Sequence, residues 1–410
     1  MSDANNVIMP KMVIKTKSVI DSSTGDEQEL EIGYAPKVLC VGIGQGGGRL
    51  ANSLAIAFNS KRNTVFINTS MKDIDGLGIS VPSNRTIKLG MAIEGTGKDR
   101  KVAENLLRTM YMKIADQLKG FMTEDDYDFV FICFSTSGGT GSGMGPKITA
   151  LLNSDEIIDS VKESLKTEKI PLVFGLAATP EISFNEGNLS LENTLECLED
   201  INKQKEKARY LIINNGLLTT KVNGERTSIL ETINTTTASI LKRYILDYGV
   251  SRISNLDRAD RYGALNCMGI HAFGLLDADG DRTPSPFFFP DGEHVRRVCY
   301  EVPDVMEKKV LSSLRNSGLM AGDIIHGLYD SDSDENRGLS PIIGFHGFMN
   351  VPKIAEMFDK RLKLNKENAQ RIEKENINSA SGLDDVAKER ESREFEYGRK
   401  AASSISSIFD

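Results

Sequence analysis

The stretch Ser137-Gly138-Gly139-Thr140-Gly141-Ser142-Gly143 constrains the fold of this chain more than any other. It follows the apolar run YDFVFICFSTS (127–137) and precedes the helix-like run KITALLN (147–153). A flexible linker would not follow a buried strand directly, so the glycines favour a tight turn between a strand and a helix. The main-chain N–H groups of Gly138, Gly139, Thr140, Gly141 and Ser142 are therefore candidates to bind an anion such as a phosphate.

A second glycine-rich turn, VGIGQGGGR (41–49), follows the apolar run KVLCVGI (37–43) and opens the helix-like run RLANSLAIAFNS (49–60). Gly42, Gly44 and Gly47 match the dinucleotide fingerprint, and the turn is either a purely structural turn or a phosphate loop. Both turns leave the carboxyl ends of strands, so they are expected to meet at one edge of a sheet. The candidate phosphate ligands here are Gly44, Gln45, Gly46, Gly47 and Gly48.

Two shorter motifs carry further candidates. EGTGKD (94–99) resembles part of a Walker A loop, but Ala92 and Asp99 stand at two of its required positions, so Gly95, Thr96 and Gly97 form either a third phosphate-side turn or a plain loop. NLDRAD (255–260) places two carboxylates three residues apart, where they could orient a water or lie near a metal. The alternative for NLDRAD is an Asn255 helix cap followed by surface charges.

The pattern of strands and helices predicts the fold class. Apolar strands alternate with helices from 37 to about 180, which predicts a parallel sheet covered on both faces. Residues 227–248 keep helical spacing and would form a helix about 33 Å long. We expect an α/β protein with a Rossmann-like domain, a long central helix, a smaller α+β domain and a helical tail. The predicted boundaries are 1–36 (an extension, either hairpin or flexible arm), 37–226, 227–250, 251–358 and 359–410.

Composition narrows the functional class. The 410 residues carry a net charge of −8, which argues against a broadly basic nucleic-acid-binding surface. The five cysteines lack CxxC spacing and the four histidines are isolated, so neither a disulfide framework, a zinc site nor a histidine-based metal cluster is expected. No apolar run of membrane-spanning length occurs, and the N-terminus does not resemble a signal peptide. The sequence predicts a soluble, cytoplasmic protein without direct contacts to nucleic acid or membrane.

The motifs together resemble the tubulin/FtsZ superfamily, whose signature loop is similar to SGGTGSG. The superfamily order of turns is intact from about 37 to 277: the first glycine turn is followed by Asn68-Thr69-Ser70, then by the 95–97 turn and the signature. Phe184-Asn185-Glu186-Gly187 resembles its ribose segment, Asn214-Asn215 its asparagine turn, and 255–260 its catalytic loop. Two positions depart from the pattern: Ser70 replaces the usual acid, and Arg252 stands where many members have glycine.

The resemblance implies a role for each candidate residue. The chain would bind GTP or GDP with Mg²⁺, the glycine turns and Asn68 on the phosphate side, and Glu186 and Asn188 near the ribose. Asn215 would read the guanine edge together with a residue of the central helix. The superfamily spacing selects Ile233 and Thr237 on that helix, whereas Asn234 offers the amide. The catalytic residues would be Asp257, Asp260 and Asn255.

The resemblance also implies self-assembly. The nucleotide site and the 255–260 loop would lie at opposite ends of the central helix, so the acids of one subunit would serve the nucleotide of the next. Such a head-to-tail contact grows into a filament when it does not close. The partners expected are therefore further copies of this chain, and an adaptor or cargo protein for the tail.

The composition of the C-terminal segment indicates which branch of the superfamily the chain resembles. Residues 359–410 carry 11 basic and 11 acidic residues and end in SSISSIFD, typical of either a mobile solvated helix or a partner-binding one. With the N-terminal extension, this is more similar to the phage and plasmid tubulin-like (TubZ/PhuZ-type) branch, which positions DNA or phage particles, than to cell-division FtsZ. An FtsZ-like ring protein and a non-hydrolysing structural relative remain alternatives. An NAD-dependent oxidoreductase is a remote one, because it would need an acid where Asn68-Thr69-Ser70 ends the second strand.

Overall fold

Strands and helices alternate along most of the chain. The computed structural model describes residues 16–20, 27–31, 36–76, 82–89, 95–166, 170–182, 187–216, 226–246, 252–254, 256–333, 336 and 339–372. The strands are β1 (Thr16–Ile20), β2 (Glu27–Glu31), β3 (Val38–Ile43), β4 (Thr64–Asn68), β5 (Thr86–Lys88), β6 (Phe129–Ser135), β7 (Leu172–Thr179), β8 (Arg209–Asn214), β9 (Arg252–Ser254), β10 (Gly269–Leu275), β11 (His294–Pro303), β12 (Met320–Tyr329) and β13 (Ile342–Phe348). The helices are α1 (Gly44–Ala57), α2 (Met71–Asp75), α3 (Arg100–Met122), α4 (Gly139–Leu152), α5 (Asp155–Leu165), α6 (Asn188–Gln204), α7 (Arg226–Ile245), α8 (Arg258–Leu265), α9 (Glu307–Asn316) and α10 (351–372).

The described strands other than β1 and β2 form one sheet of 11 strands in the order β5-β4-β3-β6-β7-β8-β10-β13-β11-β12-β9. Neighbouring strands from β5 to β10 are parallel, and the remaining strands form a mixed region. Strands β3, β4, β7 and β8 are buried along their whole length, as expected for a parallel sheet with helices on both faces. The predicted α/β fold class is confirmed.

The sheet runs without a break from the N-terminal half of the chain into the C-terminal half. Strand β10 pairs in parallel with β8, Gly269 beside Arg209 and His271 beside Leu211. Helix α7 packs on α1 at one side and on β10 and β13 at the other. Met1–Phe358 and Asp359–Asp410 are separate compact units. The finer division at 226 and 250 stays a prediction.

The two ends of the chain are described in part. Strands β1 and β2 pair as an antiparallel hairpin from Thr16–Glu31 to Ile20–Glu27, one of the two forms that the sequence left open. At the other end, α10 is described as far as residue 372, and the remainder of the predicted tail lies outside the described residues. Within the described residues, none of the helices has both the length and the apolar character needed to cross a bilayer.

Candidate nucleotide site

The first glycine turn and the signature turn lie side by side. Strands β3 and β6 are parallel neighbours, with Ile43 beside Phe134, so the turns that follow them emerge next to each other. Gly44 begins α1 with φ of +70°, a conformation that side chains other than glycine rarely adopt. A Cβ atom on Gly44 would lie 3.3 Å from the main-chain nitrogen of Gly141. The helix N-termini of α1 and α4 therefore meet at one edge of the sheet, where their free N–H groups favour an anion.

Several glycines are required by close backbone approach. A Cβ atom on Gly47 would overlap the carbonyl oxygen of Cys133 in β6, and one on Gly46 would lie 2.9 Å from the Cβ atom of Ser135. Because these glycines lack a Cβ atom, the first turn of α1 can lie directly against β6. The glycines are thus used both for the shape of the turn and for packing beneath it.

The second turn joins the signature turn through side chains. The Oδ1 atom of Asn68 accepts hydrogen bonds from the main-chain N–H groups of Thr69 (2.8 Å) and Ser70 (3.3 Å). The hydroxyls of Thr69 and Thr140 are 3.2 Å apart and buried. Asn68 therefore shapes the turn from within, and Thr69 is the residue that touches the signature loop.

The third turn also reaches the signature. A Cβ atom on Gly139 would overlap Oγ1 of Thr96, so the two turns are in contact. The amide nitrogen of Asn193 in α6 donates to the carbonyl oxygens of Lys98 (2.8 Å) and Ser137 (3.3 Å), clamping both turns together. The structure thus brings together the first, second, third and signature turns that the sequence singled out. It adds Asn193, which no sequence motif had indicated.

Behind the signature, charged residues tie α4 to α3 and α6. Lys147 lies 2.8 Å from Glu104 and 2.9 Å from Asp200, and Arg100 pairs with the same two carboxylates. Partial burial disfavours the charge on Glu104, but Lys147 and then Arg100 outweigh it and hold the pKa of Glu104 below its ordinary value. The cluster stabilises the helix whose N-terminus carries the signature.

A cleft opens beside the turns, between α1 and α7. Four of its lining residues are among the sequence candidates: Gln45, Gly46, Asn215 and Asn234. The rest of the described lining is formed by Arg49, Ser135, Ser137, Ala178, Pro180, Glu181, Ile229 and Leu230. Arg49 and Glu181 were missed because an arginine within a helix and an acid after a proline carry no distinctive spacing.

The cleft contains a polar atom that lacks a partner among the described residues. The side-chain oxygen of Asn215, directly after β8, is buried and accepts no hydrogen bond from any of them. A buried acceptor without a partner is costly, and a bound ligand with N–H donors would satisfy it. This observation fits the predicted contact between Asn215 and a nucleotide base.

Helix α7 presents one of its three candidates to the cleft. Asn234 lines the cleft, whereas Ile233 and Thr237 are fully buried. The hydroxyl of Thr237 donates to the carbonyl oxygen of Ile233, 2.8 Å away. The superfamily spacing that pointed to Ile233 and Thr237 thus falls on the core side of the helix.

Three other candidates are not among the described residues that line the cleft. Asn188 is the first residue of α6 and is half-buried, but it is not part of the described lining. Glu186 and Asn255 lie outside the described residues. Within the described part of the chain, no group of three or more His, Cys, Asp or Glu side chains could hold a metal ion.

The two candidate catalytic acids form a reciprocal helix cap. Asp257 is the N-cap of α8 and accepts from the N–H group of Asp260 at 2.8 Å, while Asp260 accepts from that of Asp257 at 3.4 Å. The cap residue is therefore Asp257, and not Asn255 as in the structural alternative. Both carboxylates keep further lone pairs free for another contact, because a carboxylate can accept about four hydrogen bonds.

A buried ionic cluster attaches the acids to the C-terminal end of α7. Glu301 is bound by Arg243 and by Arg261, each at 2.8 Å. Arg261 also donates to the carbonyl oxygen of Tyr244, 2.8 Å away. Asn234 on the cleft and Tyr244 are ten residues apart in α7, or about 15 Å along the axis. The cleft and the acids thus lie towards opposite ends of one helix.

The comparisons agree with this geometry. Residues 37–221 match the family model described as Tubulin/FtsZ family, GTPase domain. Tubulin-like protein TubZ of Clostridium botulinum C phage is 32% identical over 184 residues, which cover 44% of this chain and 45% of TubZ. Cell division protein FtsZ 2 of Halobacterium salinarum is 25% identical over 57% of this chain and 53% of its own length. The chain therefore spans about half the length of these curated relatives.

Among solved structures, the GTPγS-form protofilament of Bacillus thuringiensis serovar israelensis TubZ aligns with 83% of this chain and 94% of its own. The TM-score is 0.63 at 15% identity, so this likeness concerns the fold. The family model coincides with the segment that carries all four turns. Residues 37–221 are therefore a GTPase domain of the Tubulin/FtsZ family, and the likeness to TubZ fits the TubZ-like branch of that family.

Proposed function

We propose that this protein binds and hydrolyses GTP and polymerises head-to-tail, each active site being completed by the next subunit. The observation that carries the proposal is the placement of the cleft and the Asp257–Asp260 pair towards opposite ends of α7. A site divided in this way becomes complete only when two copies stack in the same direction. The protofilament of the Bacillus thuringiensis TubZ supports such stacking.

The phosphates of GTP would be held by main-chain N–H groups of the turns at 44–48 and 138–142. These groups belong to two helix N-termini, which favour negative charge. The base would lie in the cleft, where the Oδ1 atom of Asn215, which has no partner in the described part of the chain, can accept from guanine and Asn234 offers a second amide. The assignment of Glu186 and Asn188 to the ribose stays a prediction.

Mg²⁺ would accompany the nucleotide and neutralise charge on its phosphates. The chain offers oxygen ligands beside the turns in the hydroxyls of Thr69 and Thr140. Mg²⁺ in nucleotide sites commonly keeps several waters and takes phosphate oxygens as ligands, so few protein ligands are needed. The serine at position 70 agrees with a site that relies on phosphate and water oxygens.

Hydrolysis would depend on positioning. Asp257 and Asp260 of one subunit would orient the attacking water at the γ-phosphate bound by the next subunit. Phosphoryl transfer needs in-line placement and charge stabilisation, not a covalent nucleophile. The capping box holds both carboxylates at the start of α8, so the pair arrives pre-oriented at the contact.

The cellular role is proposed from the relatives. The match to a phage TubZ supports a cytoplasmic filament that positions DNA or phage particles, with an adaptor or cargo protein bound through the tail. The match to FtsZ 2 supports a cell-division ring protein as the second candidate. Direct contacts with nucleic acid or membrane are not part of either proposal.

The test is phosphate release from GTP, measured with Mg²⁺ as a function of protein concentration. A threshold followed by a steep rise is expected, because the site forms only between subunits. A rate strictly proportional to concentration would contradict the divided site, and no turnover would favour a non-hydrolysing relative.

Asp257→Asn and Asp260→Asn test the acids directly. Asparagine caps helices about as well as aspartate, so Asp257→Asn keeps the start of α8 intact while removing the charge. Both variants should bind GTP and pellet as filaments like the wild type, while turnover falls by at least tenfold. Loss of GTP affinity in the monomer would show that the acids belong to the same subunit's site.

A further inference from the structure

Arg49 is the one basic residue among the described residues that line the cleft. It is half-buried, and its guanidinium makes no ion pair and donates no hydrogen bond to any described residue. Arginine is the residue typically used for buried ion pairs and for bidentate contacts to ligands. A guanidinium held in a cleft without protein acceptors is available to a ligand.

The position of Arg49 on α1 separates it from the phosphate turn. Gln45 and Arg49 are four residues apart, so they share one face of α1 and differ by about one helical turn, or 6 Å. The free N–H groups that favour phosphate end within the first turn, before Arg49. Arg49 therefore lies further along the cleft, where α1 faces α7.

The far part of the cleft suits a planar base. Ile229 and Leu230 of α7 supply apolar wall, Asn234 and Asn215 supply amides, and Arg49 supplies a cation. Ligand sites commonly combine an apolar wall with a few polar groups that fix orientation. The polar groups here come from three different elements and line one cleft.

We propose that Arg49 donates two hydrogen bonds to O6 and N7 of the guanine base and so selects guanine over adenine. Guanine presents two adjacent acceptors on this edge, which match the fork of a guanidinium, whereas adenine presents an amino group in place of O6. The Oδ1 atom of Asn215 would contact the Watson–Crick edge, where guanine carries N–H donors. The inference rests on the proposed binding of GTP and adds a residue that decides base specificity.

The test compares GTP with 7-deaza-GTP, which lacks only the N7 acceptor, by titration calorimetry. Wild type should bind 7-deaza-GTP several-fold more weakly than GTP. Arg49→Gln should bind GTP roughly 10- to 100-fold more weakly than wild type, the range for losing a bidentate base contact, and should no longer distinguish the two nucleotides. Arg62→Gln, an exposed arginine outside the cleft, is the matched control and should behave as wild type.

GMP and Arg49→Lys distinguish a base contact from a phosphate contact. If Arg49 contacts the base, Arg49→Gln should weaken the binding of GMP and of GTP by the same factor. Arg49→Lys, which keeps the charge but loses the fork, should also bind the nucleotide more weakly than wild type. The inference would be overturned if Arg49→Gln weakened the binding of GTP but left the binding of GMP unchanged. It would also be overturned if Arg49→Gln still bound 7-deaza-GTP more weakly than GTP. Absence of GTP binding by the wild type would instead refute the proposed function itself.

Discussion

Gly47 illustrates how single residues permit the nucleotide site. It lies in the first turn of α1, and any Cβ atom there would overlap main-chain atoms of Cys133. Main chain in the middle of a sheet cannot move aside without breaking pairing on both neighbours. The motif is therefore constrained by packing under the turn as strictly as by the ligand above it.

Gly47→Ala should destabilise the protein by about 3 kcal/mol or more, because an overpacked core typically costs 1–3 kcal/mol even where side chains can adjust. The measurement is the free energy of urea unfolding. Gly120→Ala is the matched control, since Gly120 is exposed in α3 and its Cβ would contact nothing within 4 Å. That change should stabilise by about 0.5–1 kcal/mol. Equal stabilities for the two variants would contradict the packing described.

At the scale of elements, a buried hydrogen-bonded chain ties the end of α7 to β13 and β10. The Nε2 atom of His271 lies 2.9 Å from the Cys267 carbonyl oxygen and donates to it, which leaves Nδ1 as an acceptor for His346 Nδ1–H, 3.0 Å away. The Nε2 atom of His346 then accepts from the Tyr244 hydroxyl at 2.7 Å. With both imidazoles neutral, every donor and acceptor in this series has a partner. The hydrogen bonds therefore assign one tautomer to each histidine.

This buried series of hydrogen bonds predicts that the fold is sensitive to acid. Burial lowers the pKa of His271 to about 3, and burial together with His271 lowers that of His346 well below its usual range. An unfolded histidine titrates near pH 6.5, so below that pH the unfolded state binds protons that the native state cannot. Stability is therefore fully present above about pH 7 and falls as the pH drops through 6.5.

Urea unfolding between pH 7.5 and 5.0 should show a loss of roughly 2 kcal/mol per histidine by pH 5, at about 1.4 kcal/mol for each pH unit. His294→Gln, which removes an exposed histidine, should give the same curve as wild type. A stability that stays level down to pH 5 would show that the two imidazoles are not held neutral.

Helices and strands whose apolar residues follow one clear period could be recognised from the sequence, and those without such a period could not. The central helix was expected at 227–248 and is found at Arg226–Ile245. The stretch 295–316 has no single period, because it divides at Pro303 into strand β11 and, from Glu307, helix α9. Strand β12 gave no signal because its first half is largely exposed and contains glycine and aspartate, so neither alternation nor an apolar run develops.

In the proposed filament, each molecule would present its two half-sites to different neighbours. The continuous sheet and α7 hold the cleft and the Asp257–Asp260 pair in a fixed relation. In the proposed filament this spacing sets the distance between successive nucleotides. Hydrolysis would then require assembly, because the neighbouring subunit, and not a rearrangement within one subunit, completes the site.

Truncations should separate assembly from nucleotide binding. A chain ending at Phe358, the end of the first compact unit, should bind GTP as wild type does, because the described lining of the cleft lies before that residue. Its assembly or partner binding should be impaired, as measured by sedimentation. A chain ending at residue 372 keeps the described part of α10 and is the matched control. Normal filaments and normal function from the shorter chain would exclude a role for the tail in the polymer.

The turns could be read from the sequence because their chemistry is local. A glycine-rich turn between a buried strand and a helix needs only neighbouring residues to be recognised, and the order of the turns was enough to predict the family. The spacing of Asp257 and Asp260 likewise predicted two neighbouring carboxylates, since residues three apart lie on one face of a helical turn. The spacing did not show that Asp257, and not Asn255, caps α8.

Other features were decided by the tertiary structure, because they depend on contacts between residues remote in sequence. Which face of α7 meets the cleft follows from its packing on α1, β10 and β13, and this packing selects Asn234 over Ile233. Arg49 and Asn193 acquire their positions only when α1 meets α7 and α6 meets the turns. A side chain's neighbours across a fold leave no period or spacing in the chain, so only the folded arrangement can identify them.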